Sequence, residues 1–283
     1  MMNVCETTAS LRAEVAAWRQ AGLCVAFVPT MGNLHAGHLS LVEQAKALAD
    51  RVVVSIFVNP LQFGPDEDYD AYPRTIEADT TALVEQGVDV LFLPQVSDVY
   101  PRGLQATTKI EVPEVSQGLC GEFRPGHFVG VATIVAKFFN LVQPDVAVFG
   151  QKDYQQLAVI RRMAADLCFP IDIVGGVTVR EPDGLALSSR NGFLNEVQRR
   201  QAPALNQALR DLVQSLLAGA TDFYNLEQET SEYLKKQGFT TEYVYIREAD
   251  TLRPPQPDSP LVVLAAAYLG PTRLIDNIVV ARV

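Results

Sequence analysis

The sequence predicts an α/β protein, a doubly wound parallel sheet followed by a second, smaller α+β domain. Three observations carry this expectation. The runs Cys24–Pro29, Val52–Val58, Val88–Leu93, Asp145–Phe149 and Ile171–Val179 are short and nearly continuous in apolar residues, as strands buried on both faces are. Helix-like stretches separate them, which is the pattern of βαβ units. After about residue 180 the order changes to helices and then strands, as in an α+β domain.

In chain order, Cys24–Pro29 leads into His38–Asp50, where Leu41, Ala45 and Leu48 fall on one helical face. The helix-like stretches Thr75–Gln86, Gly130–Val142 and Asp153–Leu167 follow the later strands. Beyond them, long helices are expected over Glu196–Leu217 and Leu226–Gln237, then strands over Thr241–Ile246, Leu261–Tyr268 and Ile275–Val283. The turn-rich Arg180-Glu181-Pro182-Asp183-Gly184 marks the boundary. Domains are therefore expected over residues 1–179 and 180–283. No internal repeat or low-complexity segment is present.

The 283 residues are 48% hydrophobic and 20% charged, an ordinary globular composition. The formal charge of −10 argues against a nucleic-acid surface, which needs clustered cations. A small anionic substrate needs only a few cations in a cleft and stays open. Cys5, Cys24, Cys120 and Cys168 lack the close spacing of disulfide or zinc frameworks and read as reduced thiols. No signal peptide is evident, and the longest apolar run, Leu261–Leu269, is too short to span a bilayer. A soluble, cytoplasmic protein without a membrane partner is expected.

Ligands of open α/β sheets bind at the carboxyl ends of strands, and four polar segments follow strands or turns here. In Pro29-Thr30-Met31-Gly32-Asn33-Leu34-His35-Ala36-Gly37-His38 stand two of the chain's three histidines. Imidazoles three apart at a helix start share its first turn, where unpaired N–H groups favour an anion. The plain alternative is a helix cap with surface histidines; zinc would lack a third ligand. Asn59-Pro60-Leu61-Gln62-Phe63-Gly64 offers neutral amides suited to hydroxyl and carboxylate oxygens, or simply seals the strand. In Gly150-Gln151-Lys152-Asp153-Tyr154-Gln155-Gln156, Asp153 suits a helix cap, whereas Lys152 at a helix start calls for a nearby anion.

Leu187-Ser188-Ser189-Arg190-Asn191 supplies hydroxyls and a guanidinium able to grip phosphates, or a helix-start signal. Arg124-Pro125-Gly126-His127-Phe128 holds the third histidine before an apolar helix, with a structural role equally open. Neither a G-x-x-x-x-G-K-[ST] loop nor a G-x-G-x-x-G fingerprint is present, so a nucleotide would be held by helix termini, imidazoles and a lysine.

Together these segments resemble the pantothenate synthetase (pantoate–β-alanine ligase) family. The resemblance rests on Val28 to His38, Phe57 to Gly64, Tyr72-Pro73-Arg74-Thr75, Arg124 to Phe128, Lys152 to Gln156, Leu187 to Asn191 and Thr272-Arg273-Leu274-Ile275-Asp276-Asn277, and runs from about residue 20 to 280. The histidine motif alone is shared by a wider nucleotidyltransferase superfamily with the HIGH motif; the set is specific. The resemblance implies a Rossmann-like first domain binding nucleotide and pantoate, and a lid-like second one. It implies condensation of (R)-pantoate with β-alanine to pantothenate through a pantoyl adenylate, with ATP cleaved to AMP and pyrophosphate. ATP would meet Met31, Gly32, Asn33, Leu34, His35, Ala36, Gly37, His38, Gly150, Gln151, Lys152, Asp153, Val179, Leu187, Ser188, Ser189 and Arg190.

By the same resemblance Gln62 and Gln156 would hold pantoate beside Asn59, with Gln62 also near β-alanine. His35, His38, Lys152, Ser188, Ser189 and Arg190 would oppose charge growing on the phosphates. Asp79 matches a magnesium-associated acid, and a homodimer is implied. Departures from the family pattern are Gln151 in place of a frequent Glu, Cys120 at an often acidic position, and Gly176-Val177 in place of Val-Pro. The alternatives are another His-x-Gly-His nucleotidyltransferase, a fragment of a tRNA synthetase, or a non-catalytic nucleotide-binding module. The acidic balance and the amide pair Asn59 and Gln62 weigh against the first two, and Lys152, both histidines and Ser188-Ser189-Arg190 against the third.

Overall fold

The apolar runs form one parallel sheet in the computed structural model, which describes residues 2–65, 67 and 69–280. The chain divides into two units, Met1–Gln151 with Val159–Val177, and Lys152–Ala158 with Thr178–Val283.

The first unit carries β1 (Asn3–Cys5), β2 (Val25–Thr30), β3 (Arg51–Ile56), β4 (Val90–Phe92), β5 (Val146–Gly150) and β6 (Asp172–Gly176). Their order is β1-β4-β3-β2-β5-β6, and every pairing is parallel. From β2 the chain builds outward through β3 and β4, then returns to add β5 and β6 on the other side. Strand order therefore reverses between β2 and β5, the switch point at which doubly wound sheets bind ligands. This is the doubly wound, Rossmann-like sheet expected.

Helices α1 (Thr8–Gln20), α2 (Ala36–Leu48), α3 (Ile76–Glu85), α4 (Val96–Val99), α5 (Leu119–Phe123), α6 (His127–Val142) and α7 (Tyr154–Asp166) alternate with the strands. Successive strand residues point to opposite faces. On one face Ala26, Val28, Val52, Val54 and Ile56 pack with Leu41, Val42 and Ala45 of α2 and Leu83 of α3. On the other, Phe138 of α6 meets Phe27, Phe57 and Phe92 edge-on, with centroids 6.1, 5.8 and 5.5 Å apart.

β1 and α1 stand ahead of the first expected strand. A three-residue strand offers too few positions for a period, and β1 forms because β4 offers an open edge. Thr7 and Ser10 cap α1 reciprocally. β6 ends at Gly176, short of the expected Val179, because its partner, β5, ends opposite it at Gly150. The four cysteines are free thiols, and among the described residues no helix is long and apolar enough to cross a membrane.

The second unit holds α8 (Glu196–Gln201), α9 (Ala204–Leu217), α10 (Phe223–Lys236), and the antiparallel sheet β7 (Thr240–Glu248), β8 (Leu261–Leu269) and β9 (Thr272–Val280) in the order β7-β8-β9. The single helix expected over Glu196–Leu217 is two, because Pro203 has no N–H to continue the ladder. Leu205, Leu209 and Leu212 of α9 pack with Leu234 of α10 and Ile246, Val263 and Leu274 of the strands. The expected last strand begins three residues early, at Thr272, and its end at 281–283 lies outside the described residues.

One close approach in the first unit fixes a functional loop. A Cβ on Gly130 of α6 would lie 2.4 Å from the Leu61 carbonyl oxygen and 2.5 Å from the Gln62 Cα. Gly130→Ala should therefore push the 60–62 turn away and cost about 1–3 kcal/mol, the usual range for overpacking. Chemical denaturation checks this, and unchanged stability would mean that the turn yields freely.

Candidate active site

The loop leaving β2 has a run of backbone N–H groups with no strand or helix partner, and side chains accept from each in turn. Thr30 Oγ1 accepts from Gly32 at 3.2 Å. The Asp79 carboxylate of α3 accepts from Asn33 at 2.9 Å and Leu34 at 2.8 Å. Gly32 has φ 83° and Asn33 φ 51°, and a Cβ on Gly32 would stand 3.1 Å from Asp79 Oδ2. Glycine there meets both the left-handed backbone and the close carboxylate.

His35 then becomes the N-cap of α2 and His38 its third residue, in a capping box made of imidazoles. His35 Nδ1 accepts from the Gly37 N–H at 3.1 Å, and His38 Nδ1 accepts from the His35 N–H at 3.4 Å. The rings lie 4.1 Å apart between centroids. A backbone N–H can only donate, so both Nδ1 atoms are bare and both neutral rings carry their proton on Nε2. The cap thus sets two imidazole N–H donors side by side at a helix N-terminus. The cap alternative for the two histidines is thus the arrangement present.

Gly150 ends β5 across the switch point from this loop, and Gln151 follows it. Met31, Asn33, Leu34, Gly37, Gly150 and Gln151 are half-buried and Ala36 is exposed.

Gln62 sits in the short turn Pro60–Gln62 after β3. Its Oε1 accepts from Asn59 Nδ2 at 3.1 Å, and its Nε2 points to Met31 Sδ at 3.2 Å. Asn59, expected to touch substrate, is 2% exposed. Its Nδ2 also donates to the Gly130 carbonyl at 3.1 Å, and its Oδ1 accepts from Leu61 N at 3.3 Å and the Tyr100 hydroxyl at 2.6 Å. Two donors and two acceptors exhaust an amide, so Asn59 orients Gln62 and has no hydrogen-bonding capacity left for a ligand. Burial pushes the Tyr100 phenol well above its ordinary range, keeping it a donor. Tyr100 carried no motif by which the sequence could reveal it.

The backbone of Gln62 is held by the third histidine. His127 Nδ1 meets the Gln62 carbonyl at 2.9 Å, and Arg124 Nη1 lies 3.1 Å from His127 Nε2. Guanidinium can only donate, so Nε2 accepts and Nδ1–H donates. Arg124 also grips Glu67 through Nε and Nη2, at 2.7 and 2.5 Å. Burial raises the Glu67 carboxyl, but the hydrogen bonds and charge of Arg124 outweigh it and hold it below the ordinary carboxylate range. The open structural role of Arg124 to Phe128 is thus a brace for Gln62.

Asp79 was expected beside magnesium, and its surroundings do not fit that ion. It is 2% exposed, and Thr75 Oγ1 at 3.1 Å joins the two backbone donors on its carboxylate. Magnesium keeps several waters in an octahedral shell of oxygens, and no group of three metal-binding side chains exists among the described residues. Its carboxylate oxygens are held by N–H and O–H groups. A cavity at the ends of β2, β3 and β4, lined by Met31, Gly32, Val58, Arg74, Asp79 and Gln95, lies against this clamp.

The remaining expected residues belong to the second unit. Lys152 and Asp153 lie in the turn Gln151–Asp153, with their charged groups 3.7 Å apart. The anion that Lys152 requires near a helix start is thus supplied in part by its neighbour. Gln156 is half-buried in the first turn of α7. Val179 accepts at its carbonyl from Leu187 N at 3.0 Å, closing a two-stranded turn. Ser188 caps the turn Ser189–Phe193, its Oγ accepting from Arg190 N at 3.3 Å. Ser188, Ser189 and Arg190 therefore share one short turn.

The family model for pantoate-beta-alanine ligase matches residues 3–279. The chain is 58% identical to pantothenate synthetase of Azotobacter vinelandii over 278 residues, covering 98% of each. It is 57% identical to that of Pseudomonas aeruginosa, with 98% of each chain covered. Among solved structures it resembles pantothenate synthetase from Thermus thermophilus, with TM-score 0.90 and 45% identity over 99% of this chain and 100% of that one. It also resembles pantoate-beta-alanine ligase from Francisella tularensis complexed with beta-gamma ATP and beta-alanine, with TM-score 0.84 and 33% identity over 99% and 98%. On these grounds this chain belongs to the pantoate–β-alanine ligase family.

Proposed function

We propose that this chain condenses (R)-pantoate with β-alanine to pantothenate, cleaving ATP to AMP and pyrophosphate. The observation that carries this reading is the imidazole capping box at the sheet's switch point. Two Nε2–H donors there suit phosphate oxygens, and Gln62 is braced nearby for a substrate rich in oxygen. A carboxylate is a poor acyl donor, which explains the nucleotide. One pantoate carboxylate oxygen attacks the α-phosphorus, and pyrophosphate leaves with the electron pair of the broken P–O bond. The amine of β-alanine then attacks the acyl carbon of the pantoyl adenylate, AMP departs, and the amine loses a proton.

The groups of this chain stabilise rather than react. His35, His38, Lys152, Ser188, Ser189 and Arg190 oppose the negative charge that gathers on phosphate oxygens during in-line transfer. His38 Nε2–H also serves as a proton donor to departing pyrophosphate. Met31 to His38 with Gly150 to Asp153, Val179 and Leu187 contribute to ATP binding, and Gln62 and Gln156 hold pantoate, with Asn59 behind Gln62. Residues 1–179 would then serve nucleotide and pantoate, and residues 180–283 would form the lid domain. Magnesium would supply charge neutralisation on the triphosphate; Asp79 is assigned instead to clamping the Asn33–Leu34 backbone. A cytoplasmic homodimer completes the reading.

The direct test is pyrophosphate release from ATP before β-alanine is added. Release that depends on pantoate is expected, and release indifferent to pantoate would overturn the ligase reading. In the same assay His38→Ala should lose about 10²–10³ in turnover, the scale for one transition-state donor. Near-normal turnover would remove His38 from the mechanism. Gln62→Ala should raise the KM for pantoate more than that for ATP; equal effects would refute its assignment. Asp79→Asn replaces one accepting oxygen by an NH2 facing a backbone N–H. It should raise the KM for ATP by about tenfold, corresponding to about 1.4 kcal/mol of lost loop order. The loss should persist at saturating magnesium; recovery on adding magnesium would restore Asp79 as a ligand.

A further inference from the structure

The carboxy-terminal strand bears two polar residues whose roles the reaction scheme leaves open. Asp276 and Asn277 are 3% and 6% exposed in the middle of β9. Adjacent strand residues point to opposite faces, and the contacts of this pair follow that rule.

Asp276 faces α9 and the turn that precedes Ser188. Its Oδ1 accepts from Arg180 Nη2 at 2.8 Å and from Asn277 N at 2.8 Å. Its Oδ2 accepts from Arg180 Nη1 at 2.7 Å and from Asn206 Nδ2 at 2.9 Å. A bidentate guanidinium–carboxylate pair fixes orientation as well as distance. Arg180 in turn donates to the Gly184 carbonyl at 3.1 Å and bridges Ala186 in the two-stranded turn. Asn191 Nδ2 returns to the Ala186 carbonyl at 3.0 Å. The segment Ser188–Arg190 is therefore tied through Arg180 to a buried carboxylate.

Asn277 faces the other way. Its Nδ2 donates to the Lys152 carbonyl oxygen at 2.8 Å, spanning 125 positions of sequence. The Lys152 backbone lies in a single short turn ahead of α7, which this hydrogen bond ties to β9.

We infer that Asp276 and Asn277 form one positioning device for the cation-bearing segments of the second unit. Asp276 sets Ser188–Arg190 through Arg180, and Asn277 sets Lys152 through its carbonyl oxygen. Both are positioning residues. The inference rests on the adenylation reading, in which Lys152 and Arg190 oppose phosphate charge. A misplacement of about 1 Å in such a group can cost on the order of 10²-fold in rate.

The test is a double-mutant cycle on Lys152 and Asn277, read as pantoate-dependent pyrophosphate release in single turnover. Asn277→Ala should slow release by about 10- to 100-fold, with KM for pantoate nearly unchanged. In a Lys152→Ala background the same change should cost less than about twofold, because the group it positions is gone. Equal losses in both backgrounds, or wild-type rates in Asn277→Ala, would overturn the inference. Asn277→Asp, of the same size but without the N–H donor, runs the same cycle should the alanine variant not fold, with the same two outcomes deciding. If the wild type itself releases no pyrophosphate with pantoate, the ligase reading falls and takes this inference with it. An active wild type with additive losses sinks the inference alone.

Discussion

The backbone N–H groups released at the end of β2 are the constraint around which the first unit is arranged. A parallel strand that stops at a switch point leaves its following amides without a ladder, and buried amides need acceptors. Here the acceptors are Thr30, Asp79, His38 and His35 in turn. Satisfying them fixes the loop and, in the same act, fixes which nitrogen of each imidazole bears its proton. The tautomer of each imidazole is a consequence of its structural duty.

A similar economy governs the turn after β3. Asn59 and His127 use their hydrogen-bonding groups on the protein itself, and both converge on Gln62. Gly130 lets α6 lie close enough to bring His127 there. A long apolar helix thus becomes the support of a single amide. The Glu67–Arg124 pair behind His127 is more than a surface ion pair, because its guanidinium dictates the tautomer one bond further in.

In the second unit the support is again a carboxylate and an amide. Asp276 stands at a core-facing position of β9 among leucines and valines, where a charge is tolerated only when fully paired. Its four hydrogen bonds meet that requirement.

The sequence by itself determined most strands of the large sheet and their parallel sense, because burial on both faces leaves a continuous apolar signature. It also displayed the histidine, glutamine and lysine motifs at the ends of those strands, and the serine–arginine motif in a turn beyond them. It was silent where no period exists, as in the three residues of β1, and it ran α8 and α9 together by overlooking Pro203. What only tertiary structure decided is partnership. Asn59 and Gln62 look alike in sequence, yet one is saturated by Tyr100, Gly130 and Leu61 while the other keeps its amide at the Met31 loop. Asp79 reads as a metal acid until the amides of Asn33 and Leu34 are seen on it. Hydrogen bonds join residues far apart in the chain, and no local pattern records which acceptor a distant donor will find.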